Sequence, residues 1–252
     1  MAATAVCPIC GGTGWKIIER AGLSGAEPCR CAEEARAGAL QEGSCIPPNY
    51  VRATLDNFQI PQDNPVARTG LGTVLMHVRA FVREFPNPER PGLLLCGDTG
   101  TGKTHLAVAA LKAIIDKGHE GIFFDYQNLL DRIRSSYDKT SGSSDKETYR
   151  SAMDAEVLLL DDLGSHRVTE WVEDTVTSIV TYRCNHRKPL IATTNLSPDD
   201  SGPTAYTTPG GTDVSKKTLS EAIGARARSR LFEMCRVVRM PSVEDYRVKR
   251  AR

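Results

Sequence analysis

Gly97-Asp98-Thr99-Gly100-Thr101-Gly102-Lys103-Thr104 follows directly on the apolar run Leu93-Leu94-Leu95-Cys96. It precedes a segment with apolar residues at helical spacing, Leu106, Ala110, Ala113 and Ile114, that stops at Gly118. Strand, GxxxxGKT loop and helix, in that order, are the context a phosphate-binding loop requires. The glycines let the backbone turn tightly and aim several N–H groups at one anion. Lys103 supplies a point charge to β- and γ-phosphates, and the Thr104 hydroxyl reaches Mg²⁺. A Gly-rich turn that matched by chance would need neither the strand before it nor the helix after it.

A second signature lies downstream. Val157-Leu158-Leu159-Leu160-Asp161-Asp162 is an apolar strand ending in two carboxylates. One acid at such a strand end can hold a water on Mg²⁺ while the next faces the attacking water. Asp161 is assigned to the metal and Asp162 to the water. Pro189-Leu190-Ile191-Ala192-Thr193-Thr194-Asn195 reads as a further strand ending in polar residues. Asn195, elsewhere a turn former, then falls beside the γ-phosphate because its strand would neighbour both signatures. The cofactors implied are ATP and Mg²⁺.

Ahead of these motifs, Cys7-Pro8-Ile9-Cys10-Gly11-Gly12 is a CxxC knuckle, and Cys29-Arg30-Cys31 offers a second pair after eighteen intervening residues. Four thiolates suit tetrahedral Zn²⁺, and a segment this small would depend on the metal for its fold. The CxC pair is tighter than the usual CxxC, which leaves Cys45 as an alternative ligand. Free thiols or a redox pair are the competing readings.

The chain has 252 residues, with 32 basic and 31 acidic side chains and a formal net charge of +1. That balance excludes a uniformly basic nucleic-acid coat and an acidic solvating tail. No run of 18 apolar residues occurs, and Met1 to Ala5 leads into Cys7 without the apolar core of a signal peptide. A cytoplasmic protein is expected, in which eight cysteines are not disulfides. Pro47-Pro48 marks a boundary between a zinc-binding N-terminal domain, 1–46, and an ATPase domain, 50–252. A short helix is expected over Ala32–Ala39, and amphipathic helices over Thr69–Phe85, Asn128–Tyr137 and Thr169–His186. Phe58 reads as a core or adenine-side aromatic. Thr140–Asp145 and Ser197–Lys217 read as loops. The chain then turns basic: Arg226 and Arg230 share a helix face at four-residue spacing, and Arg247, Lys249, Arg250 and Arg252 form a solvated tail.

With those residues in hand, the chain resembles the bacterial replicative helicase loaders of the DnaC/DnaI type and the related IstB-like transposition helper ATPases, a branch of the AAA+ ATPases. The resemblance runs from about Tyr50 to Tyr246. It rests on GDTGTGKT at Gly97–Thr104, VLLLDDLG at Val157–Gly164, TTNL at Thr193–Leu196 and GARARSRL at Gly224–Leu231. It implies a three-layer α/β fold around a five-stranded parallel sheet in the order 5-1-4-3-2, with Asn195 as sensor. It also implies an arginine finger at Arg230, with Arg226 beside it, acting on a neighbouring subunit's ATP. The cysteine-bearing N-terminus looks like the zinc domain of the DnaI-type loaders, which contacts the helicase. The family often has Glu where this chain has Ala225, and the stretch after Met240 is expected to be too short for a full helical lid.

The function implied is an ATPase that self-associates on binding ATP and delivers a replicative DNA helicase onto single-stranded DNA. The alternative is an IstB-like helper of a DNA transposase. A nucleotide kinase would need an acceptor pocket and a lid in the same subunit, and a non-hydrolysing zinc adaptor would not need Asp162.

Overall fold

The computed structural model describes residues 6–20, 23–135, 144–199, 205–207, 213–215 and 217–251. The chain begins with a hairpin, β1 (Trp15–Arg20) and β2 (Leu23–Pro28), paired antiparallel from Trp15 opposite Pro28 to Arg20 opposite Leu23. Helix α1 (Arg30–Gly43) and a 3₁₀ turn (Pro48–Tyr50) lead to α2 (Pro65–Glu84). Then come β3 (Gly92–Cys96), α3 (Lys103–Ile115), β4 (Gly121–Asp125), α4 (Tyr126–Ser135) and α5 (Ser144–Asp154). These are followed by β5 (Val157–Asp161), α6 (Glu170–Asn185), β6 (Leu190–Thr194) and a small antiparallel pair, β7 (Ala205–Thr207) and β8 (Asp213–Ser215). Last are α7 (Leu219–Ile223), α8 (Ala225–Met234), β9 (Cys235–Arg239) and α9 (Tyr246–Ala251).

The central sheet runs β4-β5-β6-β3-β9 with every pair parallel. Numbered within the sheet and read from the β9 edge, this is the expected order 5-1-4-3-2. Residues alternate across it. Leu94 and Cys96 of β3, Leu158 and Leu160 of β5, and Leu190 and Ala192 of β6 pack under α4, α6, α7 and α8. Leu93 and Leu95, Val157 and Leu159, and Ile191 pack under α2 and α3 on the other face. Both faces are covered, which is why the strands read as unbroken apolar runs rather than as alternating ones.

Local chemistry sets the helix starts. Asn64 accepts the N–H of Ala67 with Pro65 in the first turn, Thr169 accepts that of Val172, and Thr218 and Glu221 form a capping box at α7. Helix α1 is longer than expected because its far end is anchored on the parallel-sheet domain. The Phe123 N–H of edge strand β4 donates to Ser44 O at 2.8 Å, and Gln41 Nε2 donates to Asp116 Oδ1 at 2.6 Å just beyond α3. Ser44 is wholly buried, and Leu40 and Ile46 pack on the core, so this turn closes an otherwise open sheet edge.

Four features depart from the sequence reading. The stretch between the cysteine pairs is the β1–β2 hairpin, and the expected loop over Ser197–Lys217 contains the β7–β8 pair. Residues 140–143 lie outside the described ones, and α5 begins at Ser144. Strand β9 carries Arg236 and Arg239, so it shows no unbroken apolar run in the sequence. At a sheet edge they pair with Glu84 and Asp199, each at 2.6 Å.

Arg183 on α6 is 0% exposed and donates to the carbonyls of Ala152, Met153, Ala155, Glu156 and Pro189. Burial lowers its pKa to about 10. It gathers the turn between α5 and β5 and the turn before β6 onto one cation. Arg183→Met leaves those buried acceptors without this donor, and we expect a loss of about 3 kcal/mol or more in urea unfolding. A loss under about 1 kcal/mol would contradict this role.

Candidate nucleotide-binding site

The loop between β3 and α3 turns through Gly100 at φ 75° and Gly102 at φ 93°, left-handed conformations that suit glycine. Lys103 follows as the first residue of α3, only 5% exposed, with Nζ donating to Asp98 O at 2.7 Å. Thr101 Oγ1 donates to the same carbonyl at 2.8 Å. Burial pushes the Lys103 ammonium down from its ordinary pKa, against the pull of Asp162 and Asp161. A desolvated cation beside a helix N-terminus suits a polyanion.

At the carboxyl end of β5, Asp161 is buried and accepts a hydrogen bond from Thr193 Oγ1 at 2.7 Å. Burial raises its pKa, while the hydroxyls of Thr193 and Thr104 hold the charged form. The hydroxyl assigned to Mg²⁺ therefore already faces the carboxylate assigned to it. Asp162 stands at φ 55°, a left-handed conformation rare outside glycine. It is secured by its own N–H donating to Thr193 Oγ1 at 2.9 Å and by Leu163 N–H donating to Thr193 O at 2.8 Å. This twist turns Asp162 into the cleft while Asp161 stays behind it. Asn195 Nδ2 donates to Asp162 Oδ1 at 3.3 Å, and Asn195 Oδ1 is buried without a hydrogen-bond partner among the described residues.

These groups border a cleft of about 470 Å³ whose walls include Phe58, Lys103, Thr104, Asp162, Asn195 and Arg247. Phe58 packs against the loop at Gly102 and its ring lies 5.6 Å from His105. Arg226 and Arg230 are not among the cleft residues. Arg230 is instead 43% exposed and pairs with Glu233 of its own helix at 2.5 Å.

Two contributors escaped the sequence reading. Thr193, part of TTNL, bonds both acidic positions; a hydroxyl near the end of a strand beside an Asp-Asp strand is the signal. Arg247 was grouped with the solvated tail, but α9 carries it to the cleft. Only the return of the chain over the loop, with Tyr246 N–H donating to Gly100 O at 3.2 Å, brings it there.

The N-terminal cysteines gather separately. The sulfurs of Cys7, Cys10, Cys29 and Cys31 all lie within 4.8 Å of one another, with Cys7–Cys29 at 3.9 Å and Cys10–Cys31 at 3.4 Å. A tetrahedron of Zn–S bonds of about 2.3 Å has edges of about 3.8 Å, so the four sulfurs fit that ion. The Gly14 N–H lowers Cys10 to about 6, whereas the Cys10 sulfur and its neighbours push Cys31 to about 12. Cys45, the alternative ligand, is exposed and its thiol faces Gly43 O.

A family model described as IstB-like ATP binding protein matches residues 79–204. The chain belongs to the IstB-like ATP-binding family. Its relatives include the replicative helicase loader DnaI of Bacillus subtilis (strain 168), 23% identical over 67% of this chain and 52% of that protein. The replicative helicase loader DnaC of Escherichia coli (strain K12) is 20% identical over 62% of this chain and 61% of that protein. A crystal structure of the DnaC helicase loader is 33% identical with a TM-score of 0.60, over 77% of this chain and 100% of that one. The chain thus spans only about half to three-fifths of the length of the curated relatives. The architecture is that of an AAA+ P-loop protein.

In an IstB-like ATP-binding site of this geometry, the loop backbone and Lys103 would hold the phosphates, and Thr104 and Asp161 would hold Mg²⁺. When bound, Mg²⁺ neutralises charge on the phosphate oxygens. Asp162 and Asn195, at the adjoining strand ends, would be the groups to orient a water.

Lys103→Ala removes the one cationic side chain of the loop, and we expect ATP affinity to fall at least about tenfold in nucleotide titration, one charge-assisted contact being worth about 1.5–3 kcal/mol. Unchanged affinity in a folded variant would remove the loop from the site. Thr193→Val keeps the strand's shape but deletes the bonds to Asp161 and to the Asp162 N–H. The turnover rate should drop about tenfold or more with ATP affinity changed less than about threefold. Equal losses in both would mean Thr193 acts on binding alone.

Proposed function

We propose that this protein is an ATPase that loads a ring-shaped replicative helicase onto single-stranded DNA, self-associating when it binds ATP. One observation carries the reading: Lys103, Thr104, Asp162 and Asn195, from three separate strand ends, line one cleft, with Asp161 held behind it by Thr193. Its family membership and the helicase-loader names of its relatives support the same conclusion.

Residues 1–46 are the zinc module and 50–252 the ATPase domain, with α1 as the module's seat. The module is the surface offered to the helicase. Arg230, with Arg226 on the same face, completes the cleft of a neighbouring subunit, since a guanidinium fork fits phosphate oxygens and a finger of this kind contributes about 10³–10⁵ in rate. Its pairing with Glu233 is an exposed ion pair that solvent screens, and does not prevent that engagement. No helix among the described residues is long and apolar enough to cross a membrane. A cytoplasmic site of action accords with a module of reduced thiols.

The experiment is ATP-dependent capture with purified protein, scored for a replicative helicase against a transposase, followed by helicase loading on circular single-stranded DNA. Capture of the helicase and stimulated loading are expected. Capture of a transposase alone would move the protein to the transposition-helper function. Arg230→Ala should bind ATP as a monomer with near-normal affinity yet fail to hydrolyse it when assembled, and mixing it with Lys103→Ala should recover part of the activity. A co-assembled mixture no more active than either variant would count against action in trans. Metal analysis should find one Zn²⁺ per chain, lost in the Cys7→Ser, Cys10→Ser double variant; retention in that variant would contradict the site.

A further inference from the structure

The side walls of the cleft do not belong to the parallel sheet. One is the strap between Asn49 and Pro61, ahead of α2; the other is the segment from Val243 to Arg247, beyond β9. Each lies against a glycine of the phosphate loop. A Cβ on Gly102 would stand 2.6 Å from the Phe58 ring, one on Gly97 2.6 Å from Met240 Cβ, and one on Gly100 2.0 Å from the Asp245 carboxyl carbon. The backbone that receives phosphate is therefore in direct contact with both walls.

Each wall has its own anchor. The strap is tied to α3 by His105 Nε2, 3.0 Å from Thr54 O, and by Lys112 Nζ on Val51 O. The carboxyl-terminal segment is tied to the loop by Met240 N–H on Cys96 O at 2.7 Å and Tyr246 N–H on Gly100 O at 3.2 Å. Asp245 Oδ1 accepts the Arg247 N–H at 2.8 Å, which fixes the start of α9 where Arg247 borders the cleft. Between the walls, the Tyr246 hydroxyl donates to Gln59 Oε1 at 3.0 Å. Tyr246 is 42% exposed and Gln59 is exposed, so this bond sits at the rim and adds little to the core.

We propose that Tyr246 is a positioning residue that clasps the two walls across the cleft, sets how fast a nucleoside triphosphate enters and leaves, and seats Arg247 against it. The proposal rests on the reading of this cleft as the ATP site. A rim bond spanning two separately anchored walls is the one a ligand must break to pass. The loop glycines carry any shift at the phosphates to both walls at once. Loss of the bond changes the rates of exchange more than it changes the fold.

The test uses the full-length protein and a fluorescent ATP analogue, with release followed by stopped flow. Tyr246→Phe deletes only the hydroxyl, and release should quicken about fivefold, as expected for one neutral hydrogen bond. The thermal midpoint should stay within about a degree, and entry should quicken along with release, so that Kd for the analogue changes little. Gln59→Leu should match it, the double variant should be no faster than either single one, and Gln59→Glu, which keeps an acceptor, should release as the wild type does. Unchanged release in Tyr246→Phe, additive effects in the double variant, or a lowered midpoint with normal release would each overturn the clasp. Failure of the wild type to bind the analogue would overturn the ATP-site reading and the clasp with it. Normal binding with any of those three results overturns the clasp alone.

Discussion

All five strands of the central sheet point the same way, and the meeting of the phosphate loop with the acids follows from that constraint. Parallel strands leave their carboxyl ends along one edge, where the loop after β3, the paired acids after β5 and the polar end of β6 are forced into company. The order β5-β6-β3 adds the decisive adjacency. Thr193 on β6 lies between the phosphate loop on one side and the acids on the other, so one hydroxyl serves both Asp161 and the Asp162 backbone. The strained φ at Asp162 is tolerable only because that neighbour holds it.

The opposite edge and the outer faces serve a different purpose. Helix α1 begins at the cysteine cluster, with Cys29 as its N-cap and Cys31 in its first turn, and ends as a cover over the edge strand β4. Its contact near Asp116 falls just past the end of α3, whose start is the phosphate loop. The module and the cleft thus lie at two ends of a short chain of elements, α1 and α3. Arg183 ties the turns ahead of β5 and β6 together as a single buried cation among their carbonyls.

Much of this was legible in the chain itself. The apolar runs at β3, β5 and β6, the GxxxxGKT loop and the Asp-Asp strand end each carry a local signature that does not depend on distant contacts. The cysteine pairs were legible as a cluster, though not the exclusion of Cys45, which turns away on a backbone at φ 57°. Strand β9 was hidden because its two arginines break the apolar pattern, and their partners, Glu84 and Asp199, are remote in sequence. The β1–β2 hairpin was hidden for a related reason: it exposes Trp15, Ile17 and Leu23 and buries little, so no periodic signal marks it.

The amino-acid order by itself determined which groups are available: a phosphate loop, two acids, an asparagine, four clustered thiols and a basic carboxyl-terminal stretch. It did so because short motifs are held by local backbone geometry. Only the tertiary structure decided which of them meet. Arg247 and Tyr246 reach the cleft, Arg226 and Arg230 do not, and Thr193 becomes the hinge pin of the acids. Those outcomes depend on strand order and on where the chain returns after β9, quantities set by the burial of two apolar faces and not by any residue's neighbours in sequence.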